Sequence, residues 1–446
     1  MTINKIINLA KIFVLIYMGL TFINILLPDE FVIGMADLGY KPSSIQMLIR
    51  WLNYVSFLVL PIAIFFEKRI FKKLALYFCL PISLILLLFA KDIIAGYISE
   101  LGTGICDIRY LPIWISSFMK NKIFRGILFY LIILFQVLSI LQIYFIDVKK
   151  DKSLFMFTKH EKLLMILMII LLSISIIPTY ALEGIFGTYT NYIFKVGSSL
   201  HHLWIFVLVS EAIVFIILFK NRPFEDKYIL VIILALSLLV QFSQLFSTLG
   251  ELTCKRMPLQ LCNLAAYTII ISIVFKKRGL FLFNILVNVA GGIIALLVMD
   301  VEGDKGILYW SNIHYIVEHN NVILVPLLCL ILGIFEPLSK KDFKLFIIYF
   351  TGYYLFVYIL GTLFNTLYTV TGSNYFYCNY LFLFDQQTAA RLIGFAGKLF
   401  DIKLTIGPVT LYPVIQLLIY IAFFIIGTIS FIILKTTVKN KSYLNE

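Results

Sequence analysis

The residues of this chain best suited to chemistry are a cysteine, several histidines and a few amides set in otherwise apolar runs. The segment MPLQLCNLAAY, Met257 to Tyr267, puts Gln260, Cys262 and Asn263 into the first turns of an apolar helix. In hydrocarbon an unpaired polar group costs about 1–3 kcal/mol or more, so such a cluster marks a site or a polar helix contact. Cys262 offers a nucleophile and His319 a base. A thiol is ionised to about a few per cent at neutral pH, and a nearby imidazole raises that fraction. The thiolate could attack an ester carbonyl while the amides of Gln260 and Asn263 face the developing oxyanion. Asp300, His202, His314, Asn374 and Tyr375 fall at the same end of their apolar runs and complete a candidate substrate pocket. Glu211, Gln241 and Gln244 are candidate supporting groups deeper in the membrane.

Helices must position these residues. The chain of 446 residues is 61% hydrophobic, 16% aromatic and only 14% charged, with a mean hydropathy of +0.98. A soluble protein of this size would need far more polar surface. Apolar runs occur at 6–27, 49–66, 74–95, 125–146, 163–182, 203–219, 228–248, 258–275, 280–299, 316–335, 343–367 and 411–434. Each approaches the roughly 20 residues that cross a 30 Å core, so an all-α polytopic bundle of about 12 transmembrane helices is expected. The first run is too long for a removed signal peptide and lacks a small-residue cleavage site, so it reads as an anchor.

The net charge of +13 does not point to nucleic acid, because the basic residues lie in short clusters between apolar runs. With the N-terminus inside, alternate connections hold about 22 of the 37 Lys and Arg residues, the asymmetry that the positive-inside rule describes. Both termini are therefore expected in the cytoplasm, with the chain in the plasma membrane and membrane lipids as its partners. No nucleic-acid partner is expected. HExxH, CxxC, GxGxxG and GxxxxGK[ST] are all missing, so neither a metal nor a cofactor is expected.

A duplication is also legible. Ile49–Phe71 lies over Leu259–Phe281 without a gap, matching Asn53 to Asn263 and nearly superposing two basic turns. Phe157–Leu167 (FTKHEKLLMIL) is similar to Leu338–Ile348 (LSKKDFKLFII). An ancestral repeat and a chance likeness of two helical hairpins both fit. In this alignment Leu52 stands opposite Cys262, so the first copy lacks the thiol and would scaffold or gate a working second half.

Structural explanations stand beside each chemical one. A cysteine in a membrane helix is a common small packing residue. Cys254 could bridge to Cys262, or Cys106 to Cys378, in an oxidising exterior. Histidines near a helix end snorkel to water, and Asn and Gln join helices. Gly291–Gly292 suits close helix packing. A secondary transporter would fit a two-copy architecture with intramembrane Glu211 and Gln241, and a non-catalytic scaffold fits the same composition.

MPLQLCNLAAY, NVAGGIIALLVMD (Asn288–Asp300), YIVEHNNVILVPLL (Tyr315–Leu328) and GSNYFY (Gly372–Tyr377) follow one another in an order that resembles the bacterial YwaF-like integral membrane proteins. These are relatives of the transmembrane protein 164 acyltransferase family. The resemblance spans roughly 200–434 and divides the chain at 1–190, an N-terminal bundle of about five spans, and 195–446, a YwaF-like domain of about seven. It implies a cysteine-dependent acyltransferase acting on phospholipid, with Cys262 as nucleophile and His319 as the histidine of a later helix. The chain departs from the pattern in two places. Gln260 stands where YwaF-like chains carry histidine, and Leu259 stands where the eukaryotic members carry cysteine directly after proline.

Overall fold

The computed structural model describes residues 3–27, 44–95, 121–150, 152–178, 195–249, 254, 257–298, 306, 309–384, 386 and 396–438. The chain is helical throughout, apart from one short hairpin pairing Leu404–Ile406 with Val409–Leu411. In chain order the long helices are α1 (Ile3–Leu26), α2 (Ser44–Phe65), α3 (Arg69–Leu88), α4 (Lys122–Lys150) and α5 (Lys159–Ser175). They continue as α6 (Ser199–Phe219), α7 (Phe224–Leu249), α8 (Leu261–Val274) and α9 (Arg278–Leu297). The last three are α10 (Trp310–Ile331), α11 (Lys340–Thr371) and α12 (Pro413–Thr437). Among the described residues ten helices are long and apolar enough to cross a membrane. The two shorter ones, α5 with 17 residues and α8 with 14, fall where the sequence expects its fifth and eighth spans. The protein is an all-α polytopic bundle.

These sequences are helical because hydrocarbon offers no partner for backbone N–H and C=O groups, which must bond within the segment. That requirement outweighs the abundance of Ile and Val, and it tolerates Pro61 inside α2 and Pro326 inside α10. α11 has 32 residues, or about 48 Å at 1.5 Å per residue, and exceeds the hydrocarbon core. It ends at Gly372, whose φ of +67° closes the helix in the left-handed region.

By contacts the chain divides into two compact units. The first comprises Met1–Ile193 with Val240–Gly250 and Asp304–His314, and the second holds Phe194–Leu239, Glu251–Gly303 and Tyr315–Glu446. In the first, α1 packs along α4 with α2 beside both, and Val55, Leu58, Val59 and Ile62 are fully buried. In the second, α12 packs on the middle of α9, and α11 on its start.

Each unit contains the same local construction. α2 ends at Phe65 and α8 at Val274. Two residues later Glu67 and Lys276 adopt positive φ, +51° and +48°. The next helices begin at Arg69 and Arg278 and run six residues. Both then widen into a five-residue π turn, Ala75–Cys79 in α3 and Asn284–Asn288 in α9, before returning to α geometry. The arginine at each start reaches an acid in a later helix. Arg69 meets Glu161 at 3.3 Å, and Arg278 meets Asp342 at 2.8 Å. Each acid is the third residue of a capping box, opened by Thr158 in α5 and by Ser339 in α11. A second cation contact also recurs: Lys73 donates to the Met156 carbonyl, and Arg278 to that of Pro337. The structural register differs by one residue from the gapless sequence alignment. Asn53, not Leu52, occupies the place of Cys262. The identical FEKR and FKKR turns set this register, whereas the sequence alignment is drawn one residue away by matching Asn53 to Asn263.

Candidate membrane site around Cys262

Gln260 precedes the first residue of α8 and braces a loop rather than pointing to free space. Its Nε2 donates to the Asn379 carbonyl and its Oε1 accepts from the Leu381 N–H, both at 3.0 Å. That loop turns sharply, with Leu381 and Phe382 at positive φ. Asn365 of α11 anchors its start by donating to the Cys378 carbonyl at 2.9 Å. Tyr380 donates to the carbonyl of Cys254 and fixes the loop to the approach of α8. The loop passes close to α11 because Gly361 has no side chain: a Cβ there would sit 2.3 Å from the Phe384 ring.

Behind this brace, Cys262 is half-buried and donates from Sγ to Asn263 Oδ1 at 3.3 Å. Two side chains from other helices act on it electrostatically, the carboxyl of Glu318 on α10 and the phenol of Tyr353 on α11. Tyr353 is in turn fixed by donating to the Leu259 carbonyl at 2.7 Å. Three helices therefore converge on the thiol.

α10 supplies Glu318, His319, Asn320 and Asn321 in succession, each at most 9% exposed. Four consecutive helical positions point in four directions, so this stretch is enclosed on every side and each polar group has its own neighbour. Glu318 faces Cys262. Asn320 accepts from the Trp204 indole at 3.3 Å. His319 turns back on its own helix, with Nδ1 2.5 Å from the Tyr315 carbonyl and its ring 4.2 Å from that of Tyr315. A carbonyl can only accept, so Nδ1 carries the proton and the lone pair lies on Nε2. Gly292 lets α9 approach this segment: a Cβ there would stand 2.9 Å from Ile323 and 3.6 Å from the His319 carbonyl. The close packing expected at the glycine pair is thus made by Gly292.

The other expected pocket residues are dispersed. His202 is exposed, whereas its neighbour His201 is 4% exposed and spans between the Gly197 N–H and the Leu296 carbonyl. His314 belongs to the first unit, buried near Phe242. Asn374 is exposed on a short 3₁₀ turn, with Tyr375 half-buried beside it. Asp300 and Cys106 lie outside the described residues. Of the supporting candidates, Gln241 donates to the Ser175 carbonyl in the first unit, and Glu211 is half-buried on α6. Cys254, Cys262 and Cys378 are free thiols. Burial, with Cys254 nearby, pushes the Cys378 thiol up to about 12, which leaves it protonated and unreactive at neutral pH. Among the described residues no three His, Cys, Asp or Glu side chains gather at metal-binding spacing.

Glu318 and Tyr353 are the neighbours of Cys262 that sequence reasoning passed over. The signal for Glu318 was present, since an acid inside a membrane helix is a candidate functional group by default. Tyr353 carried no such mark among the many aromatic residues of α11.

These observations define a polytopic helical membrane protein whose second half holds a thiol, an acid and a histidine within its bundle. A family model described as the TMEM164 family matches residues 196–428. The chain belongs to that family. Comparison with curated proteins and with solved structures finds no match.

Proposed function

We propose that this integral membrane protein is a lipid acyltransferase that works through Cys262. The observation that carries the reading is the enclosure of a half-buried membrane thiol by Asn263, Glu318 and Tyr353, next to the polar run of α10. Cys262 Sγ attacks the ester carbonyl of a phospholipid and loses its proton to His319 Nε2 as the S–C bond forms. The ester C–O bond breaks, the proton passes to the departing alkoxide, and a lyso-lipid leaves a thioester behind. The hydroxyl of an acceptor lipid then attacks the thioester while its proton returns to sulfur, so neither oxidant nor cofactor is consumed. The Nδ1 contact of His319 favours this role because it leaves Nε2 as the basic atom. Glu318 adds negative potential, which opposes thiolate formation and stabilises the imidazolium that proton transfer creates. Gln260 is reassigned from substrate contact to bracing the loop over the site. Asn263 remains the nearest amide to the sulfur.

Family membership and the polar enclosure support this reading, and the surplus of basic residues in alternate connections supports cytoplasmic termini in the plasma membrane. The test is acyl exchange between phospholipids by the purified protein, with a hydroxylamine-labile acyl label on Cys262. Wild type should exchange and label, and Cys262→Ala should do neither. Equal exchange by both ends the covalent route.

A further inference from the structure

The interior of the first unit holds a polar cluster that acyl transfer does not use. Gln136, fully buried midway along α4, donates from Nε2 to Asn53 Oδ1 at 2.9 Å and to Ser56 Oγ at 2.8 Å. Its Oε1 has no hydrogen-bond partner. Tyr17 on α1 is fully buried, and its hydroxyl lies near Ser56, Thr21 and Cys79 yet completes no hydrogen bond. The Thr21 hydroxyl, on a residue 5% exposed, and Asn24 Oδ1 are in the same condition. Tyr17, Thr21 and Asn24 are spaced i, i+4 and i+7 and therefore share one helix face. Together they form a stripe of unsatisfied hydroxyl and amide groups running from the level of Gln136 toward the end of α1.

Buried polar atoms are almost always paired in folded proteins, with protein or with a bound molecule. Four such atoms along one stripe therefore point to an occupant. Its chemistry follows from the groups themselves. All are neutral, so an ion would find no counter-charge among them. Gln136 Oε1 and Asn24 Oδ1 require donors, whereas the two hydroxyls can donate or accept. A chain of hydroxyls meets both demands. We propose that this stripe is a hydrated binding site for a small neutral polyol, with water as its resting occupant. It is centred on Asn53, the counterpart of Cys262 in the first copy. The proposal does not depend on acyl transfer in the second unit.

The experiment is X-ray radiolytic footprinting of the full chain in lipid nanodiscs, in which radicals born from bound water oxidise adjacent side chains. Phe129, packed among Leu86, Ile93 and Ile133, is the dry control, and the exposed Met156 reports bulk scavenging. Tyr17 should be modified several-fold faster than Phe129, and Gln136→Leu with Thr21→Val should remove that excess. Glycerol should lower Tyr17 modification relative to Met156, while sucrose at equal scavenging should not. Tyr17 modified no faster than Phe129 would mean a dry stripe and overturn the site. Modification indifferent to glycerol would overturn the polyol assignment and leave water alone.

Discussion

The two units use one local construction to hold different chemistry. At the structurally equivalent place the first has Asn53, hydrogen-bonded to Gln136, and the second has Cys262, facing Glu318. In each, a residue of the helix after the long loop answers a residue early in the helix before the tight turn. The frame therefore fixes where a polar pair can sit without dictating which pair. A neutral amide pair is satisfied in hydrocarbon, whereas a thiol beside an acid is a reactive arrangement kept at the same position. Polar equipment is retained in the first copy but changed in kind.

The sharpest way to break this contrast is to exchange the roles. Cys262→Ala is expected to lower phospholipid acyl exchange by about three orders of magnitude or more, as loss of a covalent nucleophile does. Asn53→Ala should leave exchange within a few-fold of wild type. Comparable losses from both would show that the two positions are equivalent in function as well as in place.

The ion pairs offer the next test. Arg278 and Asp342 are 24% and 8% exposed, and the guanidinium also holds two carbonyls. Arg278→Ala strands a buried carboxylate and should cost about 3–5 kcal/mol, read as a fall in the thermal midpoint of the detergent-solubilised protein. Arg69 is 49% exposed, and Arg69→Ala should cost about 0–1 kcal/mol. In the first unit the buried cation is Lys73 instead, fully enclosed and paired with Glu161 at 3.0 Å.

Close packing sharpens the comparison further. At the position where α9 has Gly292, α3 has Ser83, fully buried and bonded to its own helix. Gly292→Ser should destabilise by about 1–3 kcal/mol through the clash with Ile323. Ser83→Gly should stay within about 1 kcal/mol, the helix propensity difference. Thermal scans of the two variants check both values.

The smallest effect is a pH dependence. The Thr158 backbone N–H first, and Lys73 next, hold the Glu161 carboxyl below the ordinary glutamate range. Its contribution to stability is full above the unfolded glutamate value of about 4.3 and is lost as pH falls through its own lower value. Glu161→Gln should flatten the decline in thermal midpoint across that acid range.

Much of this was legible in the sequence. Apolar runs alone placed the helices in order, because length and hydropathy are what hydrocarbon selects. The capping boxes at Thr158 and Ser339 could be read from spacing, and MPLQLCNLAAY correctly drew attention to α8. The π turns left no trace, since Ala75–Cys79 and Asn284–Asn288 share no residue type that demands them. Which of His201 and His202 faces inward depends on the rotation of α6, and an all-apolar helix encodes that weakly. Gln260 looked catalytic because its partners at Asn379 and Leu381 lie more than a hundred residues away. The stripe on α1 has a readable period, but its meaning comes from Gln136, which only the fold brings near.

The paired π turns also date an event. A π turn is what remains when one residue is inserted into an α-helix and the surroundings keep their old contacts. Finding it at the same place in α3 and α9 means that the insertion was already present when one gene segment became two. The common ancestor thus carried the widened turn, and the thiol and the amide are later tenants of an inherited room. Excising one residue from either turn would rotate everything downstream by about 100°, one residue's share of a helical turn, and move that copy to a state older than the duplication.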